Sequence, residues 1–556
     1  MAGGGTPVMD AAVGAGSGRF DVYDTTLRDG AQQEGMNLSV ADKLAIAALL
    51  DELGVGFIEG GWPGAIPKDT EFFARAAKEL HLTHSTLAAF GATRRAGGAA
   101  KTDEQVKGLL DAETPVITLV AKSDIRHVER ALRTTPAENL AMISDTIAHL
   151  VARDRRVFLD AEHFFDGYRY DPDYALSCVQ AAADAGAEVV VLCDTNGGGL
   201  PDGIARVVAA VRSSTPVRLG IHAHNDTGCA IANSMAAIGQ GAEHVQGTVN
   251  GYGERTGNAD LIGILGNIEL KCARPVLPEG RLADLTRVSH AIAEIANQAP
   301  LMRQPYVGAS AFAHKAGLHA SAIRVDPDLY QHTDPLAVGN DMRMLVSEMA
   351  GRASIELKGR ELGFDLAPRP EVLARVTQRV KDAEATGYTF DAADASFELL
   401  LREELGLRPV YFTTESWRTI SETGAMRPDQ QSGGAAVSAK GAVAVTEATV
   451  KCHAGDRRLV AVGEGNGPVN ALDQALRGAL IEVYPELERI ALVDFKVRIL
   501  DSSWGTDAIT RVLIESTDTE RTWRTVGVGP NIIEASWEAL VDSLDWGLVH
   551  FGVEPR

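Results

Sequence analysis

The chain has 556 residues, 45% hydrophobic and 23% charged, which excludes wholesale disorder and allows several domains at roughly 100–250 residues each. Its formal net charge of −22, with no basic stripe, excludes a general nucleic-acid or anionic-membrane binder. An anionic substrate must then be met by local positive charge, from arginine or a metal.

The N-terminal residues 1–18, "MAGGGTPVMDAAVGAGSG", lack a basic segment followed by an apolar core and are expected to form a disordered leader. No run of about eighteen apolar residues follows, so no membrane-spanning helix is expected. Cys178, Cys193, Cys229, Cys272 and Cys452 are widely spaced without a C-x-x-C, which fits neither a disulfide framework nor a zinc ribbon and suits a reducing cytoplasm.

From residue 20 the candidate strands are "FDVYDTT", "GFIEGGW", "STLAAFGA", "PVITLVA", "RVFLDAEHF", "EVVVLCDT", "VRLGIHAH" and "HVQGTVNG". Helical patterns such as "SVADKLAIAALLDELG" separate them, several ending in glycine. Eight strand–helix units in about 250 residues predict an α/β fold, a (β/α)8 TIM barrel over 19–275. An open doubly wound sheet competes, but no G-x-G-x-x-G follows the first strand.

Residues 276–426 read as helical connector subdomains, and 427–442, poor in bulky apolar residues, as a linker. The segment 443–556 is expected to be an α+β domain with an internal repeat. "VGEGNGPVNALDQALRGAL" (462–480) and "VGVGPNIIEASWEALVDSL" (526–544) match in register, each after β-type runs and leading into a helix. The glycines of these turns, Gly463, Gly465, Gly527 and Gly529, belong either to a duplicated packing unit or to a ligand site at helix N-termini.

A barrel puts chemistry at the C-terminal ends of its strands. His222 and His224, two apart on a predicted strand, face the same side and form a common metal pair. Asp29 after strand 1 can add a carboxylate and leave positions open for substrate and water; such a set suits Mg, Mn, Co or Zn. Beside a chelated 2-oxo acid, Arg28 would stabilise an alkoxide formed at the keto carbon. Glu59 can orient Arg28 by a bidentate pair or merely cap its strand. Glu162 can position a water or act as acid or base, or be a surface carboxylate. His319 in "HKAGLH" lies outside the barrel, on a helical cover or an ordinary helix.

The stretches "YDTTLRDGAQQEG", "DAEHFFDGYRYDPDYAL", "VLCDTNGGGLP", "GIHAHNDTGCAIANS", "VQGTVNGYGERTGNADL", "FAHKAGLHASAI" and "GEGNGPVNALDQALR" together resemble the metal-dependent acetyl-CoA Claisen condensing enzymes, the 2-isopropylmalate, homocitrate and citramalate synthases. The resemblance runs over nearly the whole chain after the leader and is nearest the citramalate-forming branch. It implies Asp29, His222 and His224 as metal ligands with Asn258 close to the ion, and Arg28 polarising the keto group. It implies Thr195 on the oxo acid carboxylate, Glu162 and His319 in acid–base chemistry, and Tyr330 as a looser match to a tyrosine reaching the site from a partner subunit. The substrate-binding set is expected to be Gln32, Glu59 and Thr195.

The resemblance further implies acetyl-CoA and pyruvate as substrates in a threonine-independent route to isoleucine, and a homodimer. Its C-terminal domain would be regulatory, with isoleucine as effector. The alternatives are an isopropylmalate-forming enzyme using 2-oxoisovalerate, a lyase on the same barrel, and a non-catalytic amino-acid sensor.

Overall fold

The computed structural model describes residues 19–347, 351–425, 442–500 and 508–556. The expected leader and nearly all of the expected linker 427–442 lie outside them. The chain forms two compact units, 1–312 with 333–341, and 313–332 with 342–556.

The first unit is the expected barrel. Strands β1 (Asp21–Asp24), β2 (Phe57–Gly61), β3 (Thr86–Ala92), β4 (Val116–Lys122), β5 (Arg156–Glu162), β6 (Val189–Asp194), β7 (Arg218–Ala223) and β8 (His244–Gly247) close in sequence order, all parallel, with Tyr23 of β1 opposite Gln246 of β8. Central strands such as "VVVLCD" are buried throughout, as strands covered by helices on one side and barrel on the other must be. The helix Val40–Leu53 begins on a capping box between Ser39 and Asp42 and stops at Gly54, whose φ of 92° is a left-handed cap.

Side-chain alternation grades the barrel interior from apolar to polar. At one level Tyr23, Phe57, Phe158 and Val189 pack together, with Phe57 edge-on to Phe158 at 5.3 Å between ring centroids. Two residues further along their strands stand Glu59 and Asp160, and on β7 His222. A solid floor beneath a polar mouth is the arrangement a barrel enzyme uses.

Several boundaries differ from expectation. β1 is expected to run to residue 26 but ends at Asp24, because the Asp24 carboxylate accepts bonds from the Thr26 backbone N–H (2.9 Å) and hydroxyl (2.7 Å) and turns the chain. β8 ends at Gly247, where the Thr248 hydroxyl donates to the Tyr252 carbonyl. The barrel unit runs beyond residue 275 through the helix Leu285–Ile295, which packs on the helix Val40–Leu53.

In the second unit the helices Arg352–Glu361, Pro370–Ala385 and Asp394–Glu404 gather around Ile355, Val376, Phe397 and Leu401. Two three-stranded antiparallel sheets follow, Thr413–Ala425 with Ala442–Ala454 and Arg457–Gly465, and Ala491–Ile499 with Thr510–Thr517 and Thr522–Gly529. Each leads into a helix, Pro468–Leu480 and Ile532–His550, so the repeat is a doubled βββα unit. Its first strand, Thr413–Ala425, precedes the boundary expected at 443 and belongs to the repeat rather than to the connector.

Equivalent glycines make the same contact in both halves. A Cβ on Gly463 would lie 2.4 Å from the Ala475 backbone nitrogen, and one on Gly527 would lie 1.9 Å from the Ala535 carbonyl oxygen. At these two positions the helix backbone rests directly on the strand, which is the packing reading of the repeat.

Candidate active site

The turn after β1 brings Arg28 and Asp29 to the barrel mouth, with the Thr25 carbonyl accepting from both the Arg28 and Gly30 backbone N–H groups. The Arg28 guanidinium is fixed on several sides. Its Nε donates to Glu59 Oε2 at 2.5 Å, its plane lies 3.8 Å from the Phe90 ring centre, and its Nη1 is 3.5 Å from Asp29 Oδ2. Burial works against its charge, but Glu59 and Asp29 outweigh that and raise its pKa further.

Glu59 is fully buried and also accepts from the Tyr23 hydroxyl at 2.9 Å. It stands behind Arg28 and is not among the residues that line the cavity. The expected bidentate pair is one Nε contact, because Tyr23 holds the other oxygen.

Asp29 Oδ2 lies 3.3 Å from His222 Nε2 and 3.9 Å from His224 Nε2, and the two Nε2 atoms are 3.2 Å apart. Among the described residues this is the one group of three such side chains whose ligand atoms converge within 4.8 Å. Burial alone would raise the Asp29 carboxyl, but Arg28 and His222 hold it far below the usual carboxylate range. Burial and the neighbouring His222 push His224 down to about 4, which keeps its ring neutral. Asp29 and His224 are thus in the forms that bind a cation, whereas burial, which lowers His222, is outweighed by Asp29, which raises it, so His222 gives up a proton when a cation binds. Asn258, paired through the backbone with His224, adds a buried Oδ1 without a hydrogen-bond partner. This donor set fits a divalent ion with open positions.

Glu162 closes β5 and forms an ion pair with Lys122, its register partner at the end of β4. The Thr195 hydroxyl accepts from the His163 backbone N–H at 2.8 Å and keeps its own proton to donate. A cavity of about 670 Å³ is lined by Arg28, Asp29, Gln32, Glu162, Thr195, His222 and His224, with Trp62, Phe90, Val120 and Met142 as apolar wall. Every barrel residue expected in the site lines it except Glu59 and Asn258. His319 and Tyr330 belong to the second unit, where their rings lie 4.1 Å apart.

Four contributors escaped sequence reading: Phe90 beneath Arg28, Lys122 against Glu162, and Asp160 with Gln246 behind His222. Period two held a signal for Asp160, two residues before Glu162, and for Gln246, two after His244.

The second unit holds a separate cavity of about 830 Å³ along the helix Pro468–Leu480, between it and residues 487–495. Asn466, Asn470, Asp473, Gln474, Arg477 and Phe495 line it in part. None of Gly463, Gly465, Gly527 and Gly529 is among its lining residues.

The HMGL-like family model matches residues 19–292, the homocitrate synthase post-HMGL domain-like model 306–387, and the LeuA allosteric (dimerisation) domain model 391–548. The chain is 62% identical to an (R)-citramalate synthase of Streptomyces coelicolor over 96% of its own length and 98% of that protein's. The chain belongs to the (R)-citramalate synthase family. Another family member, from Synechocystis, is 47% identical over 95% of this chain and 96% of its own. A 2-isopropylmalate synthase of Dictyoglomus turgidum is more distant, 29% identical over 95% of this chain and 98% of its own. As in the expected architecture, this (R)-citramalate synthase family member joins a barrel to a C-terminal repeat. The match to the allosteric domain begins at 391, ahead of the strand Thr413–Ala425.

Proposed function

We propose that this protein condenses acetyl-CoA with pyruvate and hydrolyses the thioester, releasing (R)-citramalate and CoA. The observation that carries the reading is the anchored Arg28 guanidinium beside the converging Asp29, His222 and His224, in a chain whose near relatives are named for this product. A divalent ion held by Asp29, His222 and His224, with Asn258, the backbone partner of His224, as a proposed neighbour, would supply a Lewis acid for the oxygens of the 2-oxo acid.

The chain's own groups account for the rest. A base, His319 or a water held by Glu162, takes a methyl proton from acetyl-CoA. The carbanionic carbon bonds to the keto carbon of pyruvate, and the electron pair of the C=O bond moves onto oxygen, where Arg28 meets the negative charge. The Thr195 hydroxyl is free to donate to the pyruvate carboxylate. Water then adds to the thioester and the CoA thiol leaves. Tyr330, beside His319, is proposed to share its acid–base role.

We assign catalysis to the barrel and regulation to the repeat. The effector is proposed to be isoleucine, whose charged ends match the polar lining of the second cavity and whose side chain matches Ile481, Leu487 and Phe495. Homodimerisation is supported by the family description of residues 391–548, and a cytoplasmic setting by five free thiols.

The test is CoA thiol release with pyruvate, 2-oxobutyrate or 2-oxoisovalerate, each with and without EDTA. Chelator-sensitive turnover fastest with pyruvate and inhibited by isoleucine is expected. Preference for 2-oxoisovalerate would overturn the substrate assignment, and no release after metal reconstitution would overturn the reaction.

A further inference from the structure

Behind His222 runs a buried relay. His222 Nδ1 lies 2.9 Å from Gln246 Oε1, and Gln246 Nε2 donates to Asp160 Oδ1 at 2.9 Å. Gln246 is fully buried and Asp160 is 4% exposed, so neither contact has water to replace it. The spacing is set by the barrel, since His222 and Gln246 are register partners on β7 and β8.

A histidine can give a cation the lone pair of Nε2 only when its proton sits on Nδ1. Gln246 alone does not impose that choice, because an amide offers an acceptor on one side and a donor on the other. If its nitrogen faced the ring, Nδ1 would have to accept and Nε2 would carry the proton. Asp160 decides the matter: its oxygen accepts from the amide nitrogen, which turns the amide oxygen to the ring. The companion ligand has no such arrangement, for His224 Nδ1 is buried without a hydrogen-bond partner.

We propose that Asp160 is a positioning residue which, through Gln246, fixes His222 in the Nδ1–H tautomer and keeps its Nε2 available to a divalent cation. This rests on the reading of His222 as a metal ligand. Asp160 also borders the cavity, so a direct contact with the oxo acid is the rival role.

The experiment is titration of the metal-stripped full-length protein with Mn²⁺, following free ion by its EPR signal. The proteins compared are the parent, H222A, D160N, Q246M, Q246E and the double variant D160N/Q246E, with thermal melts confirming that each is folded. H222A should lose the site. Q246M should bind Mn²⁺ about 10–100-fold more weakly, the usual effect of removing a partner behind a metal ligand. D160N, whose amide can either accept from Gln246 or donate to it and so no longer fixes its direction, should bind more weakly by up to about 10-fold.

The double variant should return to within a few-fold of the parent. The carboxylate introduced by Q246E accepts the Nδ1 proton whatever stands at position 160, and the amide introduced by D160N can donate to its other oxygen. Q246E alone should also retain binding, with one proton shared between its carboxyl and that of Asp160, since two facing carboxylates cannot both ionise. Restoration by a second substitution is an outcome that a packing defect cannot give. If D160N is too unstable to titrate, Q246M against Q246E decides between loss and retention. Parent-like Mn²⁺ affinity in D160N, with only KM for the oxo acid raised, overturns the relay in favour of a substrate contact. A weak but folded double variant overturns it as well. Undiminished binding by H222A instead sinks the metal-ligand reading of His222, and the relay with it.

Discussion

Arg28 is committed to its position before any substrate arrives, because Glu59, Phe90 and Asp29 hold its guanidinium in a buried setting. A preorganised charge of this kind costs no reorganisation when the keto oxygen becomes negative. R28Q is therefore expected to lower kcat by about 10²–10³ while Mn²⁺ binding stays within a few-fold of the parent. Comparable losses of both would make Arg28 a structural support of the metal site. The pair formed by Lys122 and Glu162 makes a different prediction, because the two act as one unit. E162Q should retain residual turnover after a loss of about 10²–10⁴, the range for general acid–base help. K122M should fall in the same direction, and K122M/E162Q should be no worse than E162Q. Additive losses in kcat would separate the two roles.

At the scale of elements, the barrel was legible because its strands are short apolar runs, buried on both faces, separated by helical patterns that stop at glycines such as Gly54. Arg28, Asp29, His222 and His224 were legible because strand ends are where a barrel concentrates chemistry. The relay from Asp160 to His222 was not, since it depends on the register of β7 against β8 and on barrel closure. The strand Thr413–Ala425 was missed because its first ten residues lie mostly exposed, so no apolar alternation marks it. The opposite end of β1 gives an independent test of barrel energetics. Asp21 is ion-paired with Arg218 at 2.9 Å and lies 3.8 Å from His244. Burial alone would raise its carboxyl, yet His244 and Arg218 bring it down to about 2. A carboxyl held below its unfolded value stabilises the fold above that value and loses the contribution as pH falls through its folded one. D21N should therefore cost at most about 2 kcal/mol at pH 7. Hydrogen exchange in the β1 and β8 peptides should be up to about 30-fold faster than in the parent. The ratio should shrink as pH falls from about 4 toward 2, and a ratio independent of pH would deny the ion pair its role.

For the molecule as a whole, the net charge of −22 sets an enzyme against two anionic substrates. The cations around the mouth only partly offset it, because most are already engaged. Arg28 is paired with Glu59, Arg94 with Glu138 and Asp145, Lys122 with Glu162, and Arg255 with Asp226. Arg95, exposed where it lines the cavity, has no side-chain partner among the described residues. Two ranges of the same force then compete. At 0.01 M ionic strength the screening length is about 30 Å and the field of the whole molecule reaches an approaching acetyl-CoA; at 0.1 M it is about 10 Å and only the mouth is felt. Raising KCl from 0.01 to 0.1 M should therefore remove more repulsion than attraction, and kcat/KM for acetyl-CoA should rise several-fold. R95Q should lower kcat/KM at every salt concentration and leave the upward slope in place, since the slope belongs to the distant charges. A downward slope in the parent that R95Q abolishes would show instead that one rim guanidinium outweighs the whole-molecule field.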